Sequence, residues 1–237
     1  MSQFVRARYA PVAVALLSIM LLAPFLAWQS AQGGESVAVS KVAPDGIIVV
    51  GDSITARYND KPGDPMQGWW SMLGHQLGAQ VTTYAQSGSG YLRPGHDGRE
   101  GACQGTRFID RDQVFNGPPP SMVIIEGGRN DWSRCSKGRY VTASDTVIRR
   151  AVDTYLDALQ TFLPRSTRII VMGPPWGPQD PLDGLRVTSI VEAAAKQHGL
   201  QFVSTSGDLT PSRVLDGKHP NRAGSWAIAD SMIHALG

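Results

Sequence analysis

The stretch IIVVGDSI at residues 47–54 joins a continuously apolar run to a polar turn. An apolar run without alternation is typical of a strand that is covered on both faces in a parallel sheet. Ser53 follows the predicted strand directly, and its hydroxyl has two interpretations, a cap for the next helix or a nucleophile. Taken alone, the position of Ser53 favours the capping role. A role as nucleophile therefore depends on the groups that the fold brings beside Ser53.

Strand-like runs and helix-like segments alternate along the rest of the chain. Further apolar runs lie at residues 81–85, 122–126, 168–173 and 200–204. Helical patterns lie at residues 68–78, 144–163, 184–198 and 221–236. The apolar face of the second helix is predicted to contain Val147, Ala151, Tyr155, Leu156 and Leu159. The alternation predicts βαβ units and hence an α/β fold with a five-stranded parallel sheet.

Other polar blocks also follow predicted strands. Ser87-Gly88 follows the second strand, and Gly128-Arg129-Asn130-Asp131 follows the third. Asp216-Gly217-Lys218-His219-Pro220 comes after the fifth strand. Because ligands bind outside the carboxyl ends of parallel strands, we expect these blocks to meet Ser53 at one edge of the sheet.

The last of these blocks supplies groups that would activate a serine. An imidazole titrates near neutral pH, so His219 is the natural base for the Ser53 proton. Asp216 can accept from the other ring nitrogen, as in a Ser-His-Asp triad. Each residue also has a plain interpretation, since a histidine before proline is often structural and a loop aspartate often forms a turn. Together they favour a nucleophilic hydrolase.

Ser53, Gly88, Asn130 and His219, in this order and after apolar strands, resemble the four defining blocks of the SGNH hydrolases, a branch of the GDSL esterases and lipases. The resemblance covers the chain from about residue 46 to its C-terminus. It implies a three-layer α/β/α flavodoxin-like sandwich for residues 46–237. It also implies an oxyanion hole formed by the backbone N–H groups of Ser53 and Gly88 and by the side-chain amide of Asn130.

The second block matches the family less closely than the third. Tyr84 stands where the family commonly has asparagine, and Gly90 is an alternative to Gly88 as the backbone donor. A Ser-Gly-Ser-Gly string is also common in flexible turns. The third block matches fully through Gly128 and the pair Asn130-Asp131.

Two residues are candidates for substrate binding. Arg129 either faces an anionic or sugar substrate or is solvated, and Trp176 lies in a proline-rich loop that we expect to overhang the site. Trp69 and Trp70 begin a helix and are expected to pack in the core. The histidines have no metal-ligand spacing, so we expect neither a metal nor another cofactor.

The N-terminal residues 1–31 predict a signal peptide or a membrane anchor. Arg6 and Arg8 precede an apolar stretch at residues 10–28, which is longer than an ordinary signal-peptide core and long enough to span a bilayer. Cleavage and anchoring therefore both remain open. Residues 32–45 are typical of a linker. The basic residues predict a cytoplasmic N-terminus, with the domain outside, either secreted or anchored.

The chain contains only two cysteines, Cys103 and Cys135, and both lie in polar loop sequence. An oxidising compartment would pair them, and the alternative is two unrelated free thiols. A bridge would tie the loop after the second strand to the loop that carries Asn130.

These features together predict an exported serine esterase that cleaves a short acyl ester of an envelope glycan or lipid through an acyl-enzyme. Two alternatives remain, acyl transfer to a glycan hydroxyl by the same chemistry and a non-catalytic domain that binds an envelope polymer or protein. The net charge of +2 and the scattered basic residues argue against a nucleic-acid partner.

Overall fold

The computed structural model describes residues 46–96, 103–180 and 184–237. The strands are β1 (Ile47–Gly51), β2 (Val81–Ala85), β3 (Met122–Glu126), β4 (Ser133–Ser136), β5 (Arg139–Thr142), β6 (Arg168–Met172) and β7 (Gln201–Val203). The α-helices are α1 (Ser53–Ala56), α2 (Trp69–Leu77), α3 (Asp145–Phe162), α4 (Gly184–Gln197) and α5 (Arg222–Leu236). Short 3-10 segments lie at Phe108–Phe115 and Pro211–Arg213. The predicted signal or anchor (1–31) and linker (32–45) lie outside the described residues.

Five strands form one parallel sheet in the order β2-β1-β3-β6-β7. The register aligns their carboxyl ends, since Gly51 of β1 pairs with Ala85 of β2 and Val50 pairs with Ile125 of β3. This is the flavodoxin-like order, in which the chain changes direction across the sheet between β1 and β3. The predicted α/β sandwich with a five-stranded parallel sheet is confirmed.

Helices cover both faces of the sheet, because alternate side chains of each central strand point to opposite sides. Ile47 and Val49 of β1 pack in the core formed with α2 and α5. Val50 packs in the other core, formed with α3 and α4. Full burial of such an aliphatic side chain contributes about 1.5–3 kcal/mol, so β1 and β3 are held firmly on both faces. A rigid sheet therefore supports the loops at its carboxyl edge.

The buried face of α3 differs from the predicted one in its first two turns. Ile148 and Val152 are buried together with Tyr155, Leu156 and Leu159. Val147 and Ala151 are only half-buried. The prediction placed the stripe one residue too early, because Ile148 and Val152 are also spaced at a full helical turn from Leu156.

An antiparallel hairpin of β4 and β5 lies directly after the Asn130 block and was not expected from the sequence. Lys137 and Gly138 form its turn with φ values of 50° and 73°. Positive φ at both central residues is the geometry of a two-residue hairpin turn, which glycine adopts without steric cost. No helix in the described part of the chain is both long and apolar enough to cross a bilayer.

Candidate active site

Ser53 is the first residue of α1 and lies immediately beyond β1. Asp52 caps this short helix, because its Oδ1 accepts a hydrogen bond from the Ile54 backbone N–H at 2.9 Å. Ser53 is only 6 % exposed. The cap interpretation therefore applies to Asp52, and the Ser53 hydroxyl is left for other contacts.

The hydroxyl of Ser53 joins a chain of hydrogen bonds through His219 to Asp216. Ser53 Oγ lies 3.0 Å from His219 Nε2. His219 Nδ1 lies 2.8 Å from Asp216 Oδ2, and Asp216 Oδ1 accepts from the backbone N–H of His219 at 2.8 Å. Because Nδ1 faces a carboxylate, it holds the imidazole proton and leaves Nε2 free to accept from Ser53. The arrangement can therefore take a proton from the serine.

Charge and burial set the proton affinity of this pair. Burial lowers the pKa of the His219 imidazole below its usual range, Asp216 opposes this effect, and the Arg57 guanidinium adds to it. A guanidinium nitrogen of Arg57 lies 3.3 Å from His219 Nδ1. Although burial alone would raise the pKa of Asp216, the backbone and imidazole N–H groups of His219 hold it well below its usual range. Asp216 is thus ionised and His219 is neutral at neutral pH.

We expect the rate of ester cleavage to depend on pH through His219 and Arg57. The neutral imidazole is the active form, so kcat/KM rises with pH through the pKa of His219, which lies below the usual value near 6.5. Arg57→Ala removes a neighbouring positive charge, so this pKa and the acid limb of the profile move to higher pH. The profile of kcat/KM from pH 4 to 8 measures the shift. An unchanged or acid-shifted limb in Arg57→Ala would contradict this electrostatic role.

The two backbone N–H groups that are predicted to hold an oxyanion are available for that role. Among the described residues, the N–H groups of Ser53 and Gly88 have no hydrogen-bond partner. Gly90, the alternative donor, gives its N–H to the Arg93 carbonyl oxygen at 2.9 Å. The geometry therefore favours Gly88 over Gly90.

Gly88 is required for two reasons. Its φ of 76° lies in the left-handed region, where a side chain is strained. In addition, a Cβ at this position would lie 2.6 Å from the His96 ring. His96 therefore packs directly against the backbone of Gly88, the predicted oxyanion donor.

The side-chain amide of Asn130 already has acceptors for both of its hydrogens. Asn130 Nδ2 donates to Asp52 Oδ2 at 3.1 Å and to the Ser89 carbonyl oxygen at 2.9 Å. These bonds fix the orientation of the amide beside the turn that carries Ser53. An oxyanion would have to share one of these hydrogens, so Asn130 is a pre-oriented donor that is not free in this structure.

Glu126, the last residue of β3, is completely buried behind the serine turn and was missed by sequence reasoning. Its Oε2 accepts from the Asp52 backbone N–H and from the Thr55 hydroxyl, both at 3.1 Å. Burial and the neighbouring Asp52 raise the pKa of Glu126 well above its usual range. Burial also raises the pKa of Asp52 to about 6. Glu126 is therefore the neutral member of the pair and holds the turn from Asp52 to Thr55.

The signal for Glu126 was present in the sequence. Glutamate is almost never fully buried unless it is paired or protonated, and the run MVIIE was expected to be covered on both faces. Arg57 gave no such signal, because an arginine four residues beyond a serine is unremarkable on a helix or turn.

Replacement of Glu126 by glutamine tests whether the carboxyl is protonated. In the folded protein the Glu126 carboxyl keeps its proton above pH 4.5, the usual pKa of glutamate. In the unfolded chain the same carboxyl loses its proton near pH 4.5. The free energy of unfolding of the wild-type protein therefore falls as the pH rises above 4.5. Glutamine lacks this titration. We expect Glu126→Gln to gain stability relative to wild type between pH 5 and 8 in urea denaturation. A difference that stays constant with pH would contradict a neutral Glu126.

Arg129 and Trp176, the predicted substrate-binding residues, lie together in a loop contact. Arg129 forms an ion pair with Asp180 at 2.7 Å, and each side chain is 6 % exposed. Arg129 also donates to the Pro175 carbonyl oxygen. Trp176 is half-buried and donates from Nε1 to the Thr188 hydroxyl at 2.7 Å. These contacts hold the loop at residues 174–180, and a role for either residue toward substrate remains a prediction.

Trp69 and Trp70 are buried in the core, as expected. Their indole N–H groups donate to the Thr55 hydroxyl at 3.2 Å and to the Thr55 carbonyl oxygen at 3.3 Å. The start of α2 is thus hydrogen-bonded to the helical turn that begins at Ser53.

A disulfide joins Cys103 to Cys135, with 5.8 Å between the Cα atoms, and confirms the predicted pairing. Cys135 lies in β4 of the hairpin that follows Asn130. Tyr140 of β5 adds to the link, because its hydroxyl donates to the Pro94 carbonyl oxygen at 3.0 Å and accepts from the Cys103 N–H at 3.2 Å. The loop after β2, which carries Gly88, is thereby tied to the loop that carries Asn130.

Loss of this disulfide should lower stability. Cys103→Ser with Cys135→Ser removes a cross-link between residues 32 apart, and we expect the free energy of unfolding to fall by roughly 2–4 kcal/mol. Urea denaturation of the double variant and of wild type measures the change. The single variants Cys103→Ser and Cys135→Ser, each kept under reducing conditions, serve as controls. A change smaller than about 0.5 kcal/mol would show that the other hairpin contacts suffice.

Residues 49–227 match the model of the GDSL-like lipase/acylhydrolase family. The chain therefore belongs to this family, in its SGNH type, and is a carboxylic ester hydrolase. Comparison with curated proteins finds no match.

Solved structures with the same fold include several esterases. Est24, a carbohydrate acetylesterase from Sinorhizobium meliloti, is 17% identical with a TM-score of 0.58, over 80% of this chain and 96% of that chain. The acetyl xylan esterase AlAXEase is 17% identical with a TM-score of 0.57, over 80% of this chain and 98% of that chain. A family two carbohydrate esterase from Clostridium thermocellum, solved with cellohexaose, is 20% identical with a TM-score of 0.59, over 80% of this chain and 62% of that chain. At these identities the likeness concerns the fold.

Proposed function

We propose that this protein is a serine esterase that removes a short acyl group from a glycan or lipid ester through an acyl-enzyme. The observation that carries the proposal is the hydrogen-bonded chain from Ser53 Oγ to His219 Nε2 at 3.0 Å and from His219 Nδ1 to Asp216 at 2.8 Å. The backbone N–H groups of Ser53 and Gly88, which have no partner in the part of the chain that the structure describes, support the proposal as donors to the oxyanion.

In the first half-reaction, His219 Nε2 takes the proton of Ser53 as Oγ attacks the ester carbonyl carbon. The carbonyl π electrons move onto oxygen, where the N–H groups of Ser53 and Gly88 and the Asn130 amide stabilise the new charge. Asp216 stabilises the imidazolium. When the oxyanion collapses, the carbon–oxygen bond to the alcohol breaks and His219 gives the proton to the leaving alcohol.

In the second half-reaction, His219 takes a proton from water as the water oxygen attacks the acyl-enzyme. Collapse of the second oxyanion breaks the bond to Ser53 Oγ, releases the carboxylic acid and returns the proton to the serine. The same acyl-enzyme would transfer its group to a sugar if a hydroxyl replaced this water.

The proposal of a short acyl group on a carbohydrate has two supports. The loops around the site are polar and aromatic rather than continuously apolar. In addition, structures with the same fold include a carbohydrate acetylesterase and an acetyl xylan esterase. An acetyl ester of a polysaccharide fits both.

A panel of p-nitrophenyl esters from acetyl to palmitoyl, followed by acetylated xylan and acetylated glucose, tests the substrate. We expect kcat/KM to be highest for acetyl or propionyl and to fall with longer chains, with acetate released from at least one sugar ester. A preference for palmitoyl would contradict the short acyl group. Formation of a new acylated sugar when free oligosaccharide is added would identify a transferase instead.

We also propose that the domain acts outside the cytoplasm, either secreted or anchored. The disulfide between Cys103 and Cys135 supports this address, since such bonds persist in oxidising compartments. The basic and apolar pattern of residues 1–31 gives the second support. Mass spectrometry of the N-terminus of protein from fractionated cells distinguishes cleavage from anchoring, and recovery of the chain with reduced thiols in the cytoplasm would contradict export.

A further inference from the structure

Two adjoining cavities lie along the outer surface of α2, away from the serine. One cavity of about 600 Å³ lies between α2 and α5 and is lined in part by Met72, His75 and Trp226. A second cavity of about 510 Å³ runs along α2 toward residues 78–81. Pro62 and His75 line both cavities. We call the combined depression the α2 trough; volumes of this size are in the range of ligand sites.

Trp226 gives the α2 trough an exposed aromatic wall. Its side chain is 44 % exposed, although tryptophan is usually well buried, whereas Trp69 and Trp70 at the start of α2 lie in the core. An exposed indole offers a flat apolar face and one N–H donor. One face of a pyranose ring is also flat and apolar, because its C–H bonds point to that side, so the two surfaces stack well.

Polar groups line the trough around this indole. His75 and Gln76 project from α2 and Arg222 from the first turn of α5, and all three are exposed. Imidazole, amide and guanidinium groups are planar and pair with adjacent sugar hydroxyls. Asp60 lines the second cavity, and its negative charge offsets the positive charge of Arg222 in the first cavity. The lining therefore has no single sign of charge that would select a polyanion.

The α2 trough is connected to the catalytic edge by two short segments of chain. Arg222 follows His219 by three residues. Pro62 also lies close in sequence to Arg57, which contacts His219. The hydroxyl of Tyr58, the residue after Arg57, donates to the Pro220 carbonyl oxygen at 2.6 Å. A polymer held in the trough would therefore lie beside the segment that positions the catalytic base.

We infer that the α2 trough is a second binding site, outside the catalytic site, for the neutral polysaccharide chain whose esters Ser53 would cleave. This inference names the substrate of the proposed esterase and rests on that function. Two adjoining cavities suit several linked sugar rings, because their lining combines an exposed indole with imidazole, amide and guanidinium groups that match the apolar face and the hydroxyls of a sugar. Trp226 is the residue that provides most of the stacking surface.

Trp226→Ala tests this inference, with Phe162→Ala as a matched control. Phe162 is another exposed aromatic residue, 63 % exposed at the end of α3 on the opposite face of the sheet. We expect Trp226→Ala to lower kcat/KM for acetylated xylan about tenfold relative to that for p-nitrophenyl acetate, the size expected for loss of one stacked aromatic contact. Phe162→Ala should leave this ratio unchanged. Equal ratios in the two variants would overturn the inference.

A binding measurement separates failure of the inference from failure of the proposed function. Calorimetric titration of Ser53→Ala protein with unesterified xylohexaose and cellohexaose requires no catalysis. We expect binding of at least one of them, weakened about tenfold by adding Trp226→Ala. If no ester is cleaved but this binding is seen, the esterase proposal fails and the trough remains a glycan site. Binding to phosphatidylglycerol vesicles that depends on Trp226, without oligosaccharide binding, would assign the trough to a lipid surface and overturn the inference.

Discussion

Ser53→Ala is expected to lower the rate of ester turnover roughly a millionfold, the scale seen when a serine nucleophile is removed. No other hydroxyl is placed 3.0 Å from His219 Nε2 among the described residues. The variant should remain folded, because one hydrogen bond contributes about 0.5–1.5 kcal/mol to stability. Initial rates on p-nitrophenyl acetate, together with urea denaturation of the same preparations, measure both effects.

Ser225→Ala is a suitable control for this variant. Ser225 is fully buried in α5, six residues after His219, and its hydroxyl has no partner among the described residues. Its loss should leave turnover within a few-fold of wild type. If Ser53→Ala retained more than a trace of activity, or if Ser225→Ala were equally inactive, Ser53 would not be the nucleophile.

Asn130→Ala is expected to lower kcat by roughly 10²–10³-fold with little change in KM, because charge on the carbonyl oxygen develops mainly in the transition state. The loss also removes the donor to Asp52 Oδ2, while the bond from Ile54 to Asp52 Oδ1 and the bonds of Glu126 to the serine turn remain. Steady-state kinetics on p-nitrophenyl acetate separate kcat from KM.

His219→Ala provides the contrast for Asn130→Ala. Loss of the base slows serine acylation itself, and added imidazole should restore part of the rate if the cavity admits it. Imidazole should not rescue Asn130→Ala. If Asn130→Ala stayed within a few-fold of wild type while His219→Ala lost activity, the oxyanion would be held by the N–H groups of Ser53 and Gly88 alone.

The sequence predicted the parts of the site that follow from sheet topology. Ser53, Gly88 and Asn130 each come after a strand, and the carboxyl ends of parallel strands share one edge, so their proximity follows once the strands are identified. His219 and Asp216 are close in sequence, and a turn suffices to join them. The order of the strands placed β1 and β3 side by side and brought Asn130 next to the serine turn.

What the sequence did not predict depends on contacts between distant segments. The ion pair of Arg129 with Asp180 and the bonds of Glu126 to Asp52 and Thr55 require the folded loops, and no local pattern encodes them. The β4–β5 hairpin was missed because its strands are short and polar, and their stability comes from pairing and from the disulfide of Cys135 rather than from apolar alternation.

Labelling with a fluorophosphonate, followed by peptide mapping, tests the central claim most directly. The activated serine displaces fluoride from the probe, so we predict one phosphonyl group per chain on the peptide that contains Ser53. Labelling should be lost in Ser53→Ala and strongly slowed in His219→Ala, and it should be retained in Ser225→Ala. Absence of label from wild-type protein under conditions that label a related esterase would contradict the account and favour a non-catalytic binding domain.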